Sequence, residues 1–422
     1  MKYISTRGNA PEIRAAEAIV AGMAGDGGLF VPTEIPKITS EFIAELARDK
    51  YAGRAERVLR LFLDDYTASE LAGCIARAYD KGKFDDPRVA PTRSVGDMTL
   101  LELWHGPTSA FKDMALQLLP QLLSVALQKI GEKREILILT ATSGDTGKAA
   151  LAGFSDVPQT KIMVFYPAGG VSQIQRLQMT TQTGGNVAVV AVEGNFDDAQ
   201  RGVKAIFNDA ALNRELAAAK VKLSSANSIN WGRLAPQIVY YFSAYADLLN
   251  MGKIKNGDAV NFTVPTGNFG NILAGFYARQ MGLPVGRLIC ASNRNNVLTD
   301  FLLTGYYDRH REFFKTITPS MDILISSNLE RLLYHLTGDA AAVRRWMAEL
   351  ADEGRYDCGV NMLQRLQNLF WADWTDDDKT KQAIKEVYDA YHYVMDPHTA
   401  VAWAVAQAYQ RRTDDRRPMV VV

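Results

Sequence analysis

Cysteine is scarce in this chain: Cys74, Cys290 and Cys358 are the only three in 422 residues. Three widely separated thiols do not frame a disulfide-stapled fold, and without a Cys-x-x-Cys pair they do not suggest a zinc site. Histidine is nearly as rare. None of the five stands four residues from another, so the spacing of a helical metal pair is missing and no metal is expected. Neither charge sign is in excess, because 47 Lys and Arg balance 47 Asp and Glu. That balance supplies no bulk field for nucleic acid or an anionic membrane, and neither partner is expected. No apolar run approaches the length of a membrane span, and Met1–Gly8 lacks the apolar centre of a secretory signal, so the cytoplasm is the expected location. What remains is an ordinary globular composition, 47% hydrophobic and 22% charged, in a chain long enough for two or more cores.

Residues 10 to 90 read as mostly helical, with helical spacing clear in Phe42–Leu46 and Leu71–Ala78. A turn at Gly25–Gly28 and an extended piece at Leu29–Pro32 interrupt them. From about residue 95 the pattern changes to short β-branched runs at 136–142, 161–166, 187–192, 260–265 and 287–292, most followed by a glycine-containing loop and a helical stretch. Continuous apolar strands alternating with helices predict parallel sheets covered on both faces. Ligands of such sheets bind at the carboxyl ends of the strands. Residues 294 to 395 turn helical and more charged, as in Asp339–Ala351.

Four segments carry candidate chemistry. Lys112 follows a Gly-Pro turn and the small apolar stretch Ser109-Ala-Phe111, and precedes Met114–Leu123, which is apolar enough for a buried helix. Burial there would lower the amine pKa and free a neutral nucleophile; the alternative is a solvated surface lysine. The strand at 260–265 runs into Thr266-Gly-Asn-Phe-Gly-Asn271 and a helix start. Its glycines and free N–H groups suit a phosphate, or equally a tight structural turn. Thr142-Ser-Gly-Asp-Thr-Gly-Lys-Ala149 follows the strand at 136–142 but fails the P-loop pattern, with Thr142 at the first glycine position and Ala149 at the magnesium-binding hydroxyl. Ser224–Pro236 gathers Asn227, Ser228, Asn230 and Arg233. It reads as an Asx turn and helix cap with a solvated arginine, or as a second anion site built on the planar donor fork of Arg233.

A nucleophilic lysine with two anion-binding loops is the inventory of a pyridoxal-phosphate enzyme acting on a charged amino acid. The segments His105–Asp113, Thr142–Gly147, Gly267–Asn271 and Asp396–Ala400, with the opening Met1–Gly8, together resemble threonine synthases of the long bacterial and fungal type. The resemblance runs in order over nearly the whole chain. It implies two doubly wound, mostly parallel α/β domains with pyridoxal 5′-phosphate between them, and a mostly helical N-terminal region. The implied division is residues 1–95 for that region, 96–113 with 231–422 for the large domain (helical insertion at about 294–395), and 114–230 for the small one.

The resemblance further implies that Lys112 bonds the cofactor covalently and moves protons at the substrate. Gly267, Asn268, Phe269, Gly270 and Asn271 would cradle the cofactor phosphate; Asn227, Ser228 and Arg233 the substrate phosphate. Thr142, Ser143 and Thr146 would meet substrate carboxylate and phosphate. The implied reaction converts O-phospho-L-homoserine and water to L-threonine and phosphate. Asp145 stands where many enzymes of the wider group carry an Asn that meets the cofactor's 3′-oxygen, and a carboxylate facing a phenolate repels unless one of them holds a proton. Pro418–Val422 reads as a buried strand, beyond which the family carries a Ser or Thr for the pyridine nitrogen. Rival readings are a serine or threonine dehydratase of the same fold group, which needs no second phosphate site, and a non-catalytic binder of phosphorylated ligands. Oligomeric state is not legible.

Overall fold

The computed structural model describes the backbone of residues 1–422 and the side chains at all positions except 197 and 208. Two separate parallel sheets organise it. The smaller has four strands in the order Val187–Val192, Thr160–Pro167, Glu135–Ala141, Val221–Ser224, all parallel. The larger has six, in the order Phe370–Trp374, Val285–Ser292, Val260–Pro265, Met419–Val421, Met98–Leu101, Thr92–Val95. Only the last pair is antiparallel, closed by Gly96 in the left-handed region. Strand crossings between parallel neighbours in both sheets are made through helices, as parallel pairing requires.

All five β-branched runs read from the sequence form strands, two of them slightly longer than read. Others escaped it. Residues 294 to 395 are not purely helical, since Phe370–Trp374 pairs in parallel with Val285–Ser292 and forms an edge of the large sheet. Its aromatics, bounded by helices, carry no strand-like alternation. The N-terminal region also holds a sheet, with Lys2–Ser5 between Ile13–Arg14 and Phe30–Pro32. The apolar stretch 114–123 is not one helix. It divides into Asp113–Leu116 and Leu119–Lys129, with Pro120 in the first turn of the second, where its missing N–H costs nothing but a continuous helix would clash.

The helix Trp231–Asn250 is the axle of the molecule, buried at nearly every position. Trp231 packs on Tyr3, Phe62 and Tyr277 at centroid distances of 5.2, 5.5 and 5.4 Å, joining the N-terminal region to the large sheet. Tyr241 lies edge-on to Phe262 of the central strand at 5.0 Å. Such contacts add about 0.5–1.5 kcal/mol each beyond burial. Gly153 decides another approach: a Cβ there would lie 1.9 Å from the Leu116 carbonyl oxygen. Its bare backbone lets the helix Asp145–Phe154 of the small sheet close onto Asp113–Leu116. The starts of those two helices, Asp145 and Lys112, are thereby brought together.

Candidate functional site

All thirteen residues singled out from the sequence line one cavity of about 1040 Å³ between the two sheets. That volume is at the upper end for small-molecule sites and has room for two ligands side by side.

Lys112 is aimed by a loop locked onto itself. The buried Asp113 carboxylate accepts from the Thr108 backbone N–H and hydroxyl, both at 2.8 Å. Gly106 makes room, since a Cβ there would come within 2.5 Å of Asp113 Cβ. The lysine side chain is 11% exposed; its Nζ donates to Ser320 Oγ at 2.7 Å and lies 3.7 Å from Asp145 Oδ2. Burial pulls the amine down to about 8, Arg233 and Lys148 push the same way, and Asp145 opposes them. A neutral amine is thus available near neutral pH.

Asp145 caps the small sheet's contribution. Burial would raise its carboxyl, but Lys112, Lys148, His398 and the Ser320 hydroxyl outweigh it and hold the group well below the usual carboxylate range. Lys148 Nζ stands 3.2 Å away, Gln175 Nε2 donates at 2.9 Å and Ser320 Oγ at 2.6 Å. In this protein the carboxylate is neutralised by two lysines. Thr142 lines the cavity, but its hydroxyl accepts the N–H groups of Gly144 and Gly147 at 3.0 and 2.9 Å and is committed to shaping the loop. Ser143 and Thr146 lie on the same wall.

The glycine loop sits where the central strand Val260–Pro265 turns into the helix Gly270–Met281. Phe269 adopts a left-handed φ of 63° with its ring buried against Phe370. A non-glycine residue in that region needs support from its surroundings, and the buried contact with the tilted Phe370 ring contributes to it. Gly267 has no space for a side chain: a Cβ would lie 2.6 Å from the Ser320 carbonyl oxygen. The Asn271 side-chain oxygen takes the hydroxyls of Tyr240 and Tyr241 at 2.6 and 2.9 Å, so it anchors the helix from below. Gly270 and Asn271 of the first helical turn line the cavity, and N–H groups of a first turn have no intrahelical partner and favour an anion.

Arg233, in the third loop, does not fit the solvated alternative. It is 5% exposed, not solvated. Its Nη1 donates to the Ala226 carbonyl at 2.8 Å, and burial alone brings its pKa down to about 10. Among the described residues no carboxylate pairs with it, leaving a desolvated cation that points to an anionic ligand. Asn230 is the cap, accepting from the Gly232 N–H at 2.8 Å, so this segment serves both as helix start and as charged wall.

Three contributors were not found from the sequence. Ser320, in the turn Pro319–Met321, bridges Lys112 and Asp145 across more than 150 residues of chain and has no local signal. His398 Nε2 accepts the Ser320 N–H at 3.3 Å. Its motif was visible, since Asp396 caps the helix Pro397–Arg412, but its destination was not. Lys148 lies in the Thr142–Ala149 loop but was given no role.

A lysine and a glycine cradle facing one cavity between two α/β halves belong to the pyridoxal-phosphate-dependent enzymes. Residues 94–361 match the family model described as pyridoxal-phosphate dependent enzyme, and residues 2–79 match that of the threonine synthase N terminus. The chain is 42% identical to human threonine synthase-like 1, over 94% of this chain and 55% of that protein. It thus spans about half the length of that relative. It is also 42% identical to threonine synthase of Pseudomonas aeruginosa, over 97% of this chain and 85% of that one. The crystal structure of pyridoxal-phosphate-bound threonine synthase from Brucella melitensis superposes with a TM-score of 0.91 at 42% identity, covering 100% of this chain and 87% of that one. The chain belongs to the threonine synthase family.

Proposed function

We propose that the chain is a threonine synthase, converting O-phospho-L-homoserine and water to L-threonine and phosphate with pyridoxal 5′-phosphate as cofactor. The observation that carries this reading is Arg233, a buried guanidinium that no carboxylate pairs with among the described residues, in the same cavity as Lys112 and the glycine cradle. A dehydratase acting on serine or threonine has no second anionic group to place there. The residues fit the cofactor: Gly267–Asn271 lines the cavity as a loop running into a helix start, the setting that favours a phosphate, and Lys112 is the buried amine that could hold an aldehyde carbon.

The cradle Gly267–Asn271 holds the cofactor phosphate through the N–H groups of its helix start. Lys112 would hold the cofactor and, as a free amine, would take and return protons at the substrate carbons, which a pKa of about 8 allows. The cofactor's ring supplies the sink for the electrons left at carbon. Arg233, Asn227 and Ser228 hold the substrate phosphate, and Ser143 and Thr146 meet its carboxylate. Asp145 keeps Lys112 in place by charge.

Incubation of the protein with O-phospho-L-homoserine, following threonine and phosphate together, tests the assignment. Equal release of both is expected. Phosphate without threonine would mean an eliminase, and turnover of L-serine or L-threonine alone a dehydratase.

A further inference from the structure

The segment Ser326–Arg331, outside both anion loops, touches each of them. Ser326 Oγ donates to the Gly267 carbonyl at 2.8 Å. Ser327 Oγ stands 3.3 Å from both Asn268 Oδ1 and Ser228 Oγ. Asn328 is fully buried, and its side-chain NH2 donates to two carbonyls, Asn268 O at 3.1 Å and Ser228 O at 3.2 Å. One amide nitrogen therefore ties the cofactor-phosphate loop to the substrate-anion loop. Both donors of an NH2 group lie in one plane at a fixed angle, so the two carbonyls cannot move apart without breaking a bond.

The tie is itself held rigid. Arg331, also fully buried, donates to Asn328 Oδ1 and the Ile229 carbonyl, both at 2.5 Å, and to the Phe30 carbonyl at 2.9 Å. Its neighbour Glu330 takes Thr6 Oγ1 at 2.6 Å and both Nε and Nη2 of Arg7 at 2.9 Å. The segment is thus braced against the N-terminal sheet. Deep burial of a guanidinium on three backbone or amide acceptors is costly unless its geometry is complete, which makes this a stiff fixture.

We propose that Ser326–Arg331 is a spacer that sets the separation of the two anion-binding loops and so selects the length of the phosphorylated amino acid lying between them. This rests on the two-anion reading of the cavity above. Asn328 acts through the loops and is a positioning residue, whereas Ser327 also lines the cavity.

The test uses the holoprotein with Asn328→Ala and, separately, Ser327→Ala. Calorimetry measures binding of two non-hydrolysable ω-phosphono amino acids, one isosteric with O-phospho-L-homoserine and one a methylene shorter. A methylene misfit in a fixed site is worth roughly 10–200-fold, and the unmodified protein is expected to prefer the isostere to that extent. In Asn328→Ala this preference falls at least about fivefold. Cofactor affinity, measured by titrating the apoprotein, weakens less than about threefold, because the Asn328 backbone N–H still holds Asn268 O at 3.1 Å. A merely structural role would weaken both analogues equally. An unchanged length preference in both variants overturns the proposal, whatever happens to thermal stability. Failure of the underlying reading looks different: the unmodified protein would bind neither analogue, and both proposals would fall.

Discussion

Replacing Asp145 by Asn removes the nearest negative charge from Lys112 while keeping the shape that Ser320 and Gln175 bind. The carboxylate stands 3.7 Å from Nζ and opposes the burial that brings the amine to about 8. A single opposite charge at this range shifts a pKa by roughly 1–3 units. Lys148, now without the carboxylate 3.2 Å away, adds repulsion of the same sign. The amine is therefore expected to fall by about 1–2 units, roughly 1.4–2.7 kcal/mol in favour of the neutral form. The assay is the rate at which apoprotein takes up pyridoxal phosphate covalently, followed by absorbance across pH. In the unmodified protein this rate rises about tenfold per pH unit and levels off near the Lys112 pKa of about 8. In Asp145→Asn the plateau begins about 1–2 units lower, and uptake near pH 6 is about tenfold faster. A plateau that stays in place or moves to higher pH would refute the electrostatic assignment.

Three further outcomes are expected. Arg233→Ala retains the absorbance of bound cofactor but loses about 2–5 kcal/mol of transition-state stabilisation, read as a fall in kcat/KM for O-phospho-L-homoserine; loss of cofactor as well would indicate misfolding instead. Gly267→Ala places a Cβ 2.6 Å from the Ser320 carbonyl oxygen and weakens cofactor binding by about 1–3 kcal/mol in an apoprotein titration, with unchanged affinity counting against the cradle. His335, pushed down to about 3 by burial, is hydrogen-bonded to the Tyr277 hydroxyl at 2.6 Å. The unfolded chain binds its proton near pH 6.5 and the native protein only near 3, so stability is lost as pH falls through that window, by up to about 1.4 kcal/mol per unit. His335→Gln keeps a partner for Tyr277, and denaturant melts at pH 7 and 4.5 should show its acid loss smaller by about 2–3 kcal/mol; equal losses would place the acid sensitivity elsewhere.

Strong local signals were legible in the chain. The β-branched runs were legible as strands because their composition is written in adjacent residues, and Lys112, Gly267 and Arg233 stood out by their neighbours. The aromatic strand Phe370–Trp374 owes its conformation to a pairing partner far along the chain, and Met98–Leu101, in a hairpin with Thr92–Val95, is too short to show a period. Thr142 and Asn271 were expected to meet ligands, and in the structure they line the cavity while their side chains hold loop and helix. Only the positions of Gly144, Tyr240 and Tyr241 reveal that.

By itself the sequence determined the chemical inventory: an amine in an apolar setting, two glycine loops after strands, and an arginine beside a helix cap. Each depends on residue type and short spacing, which folding does not alter. The tertiary structure decided what those groups became. Burial made Arg233 a desolvated cation rather than a surface charge, and helix packing at Gly153 set Asp145 beside Lys112. A turn and a capped segment from a region read as merely helical supplied Ser320 and Asn328. Desolvation and through-space charge depend on distances between elements remote in sequence, and those distances exist only once the sheets have closed on each other.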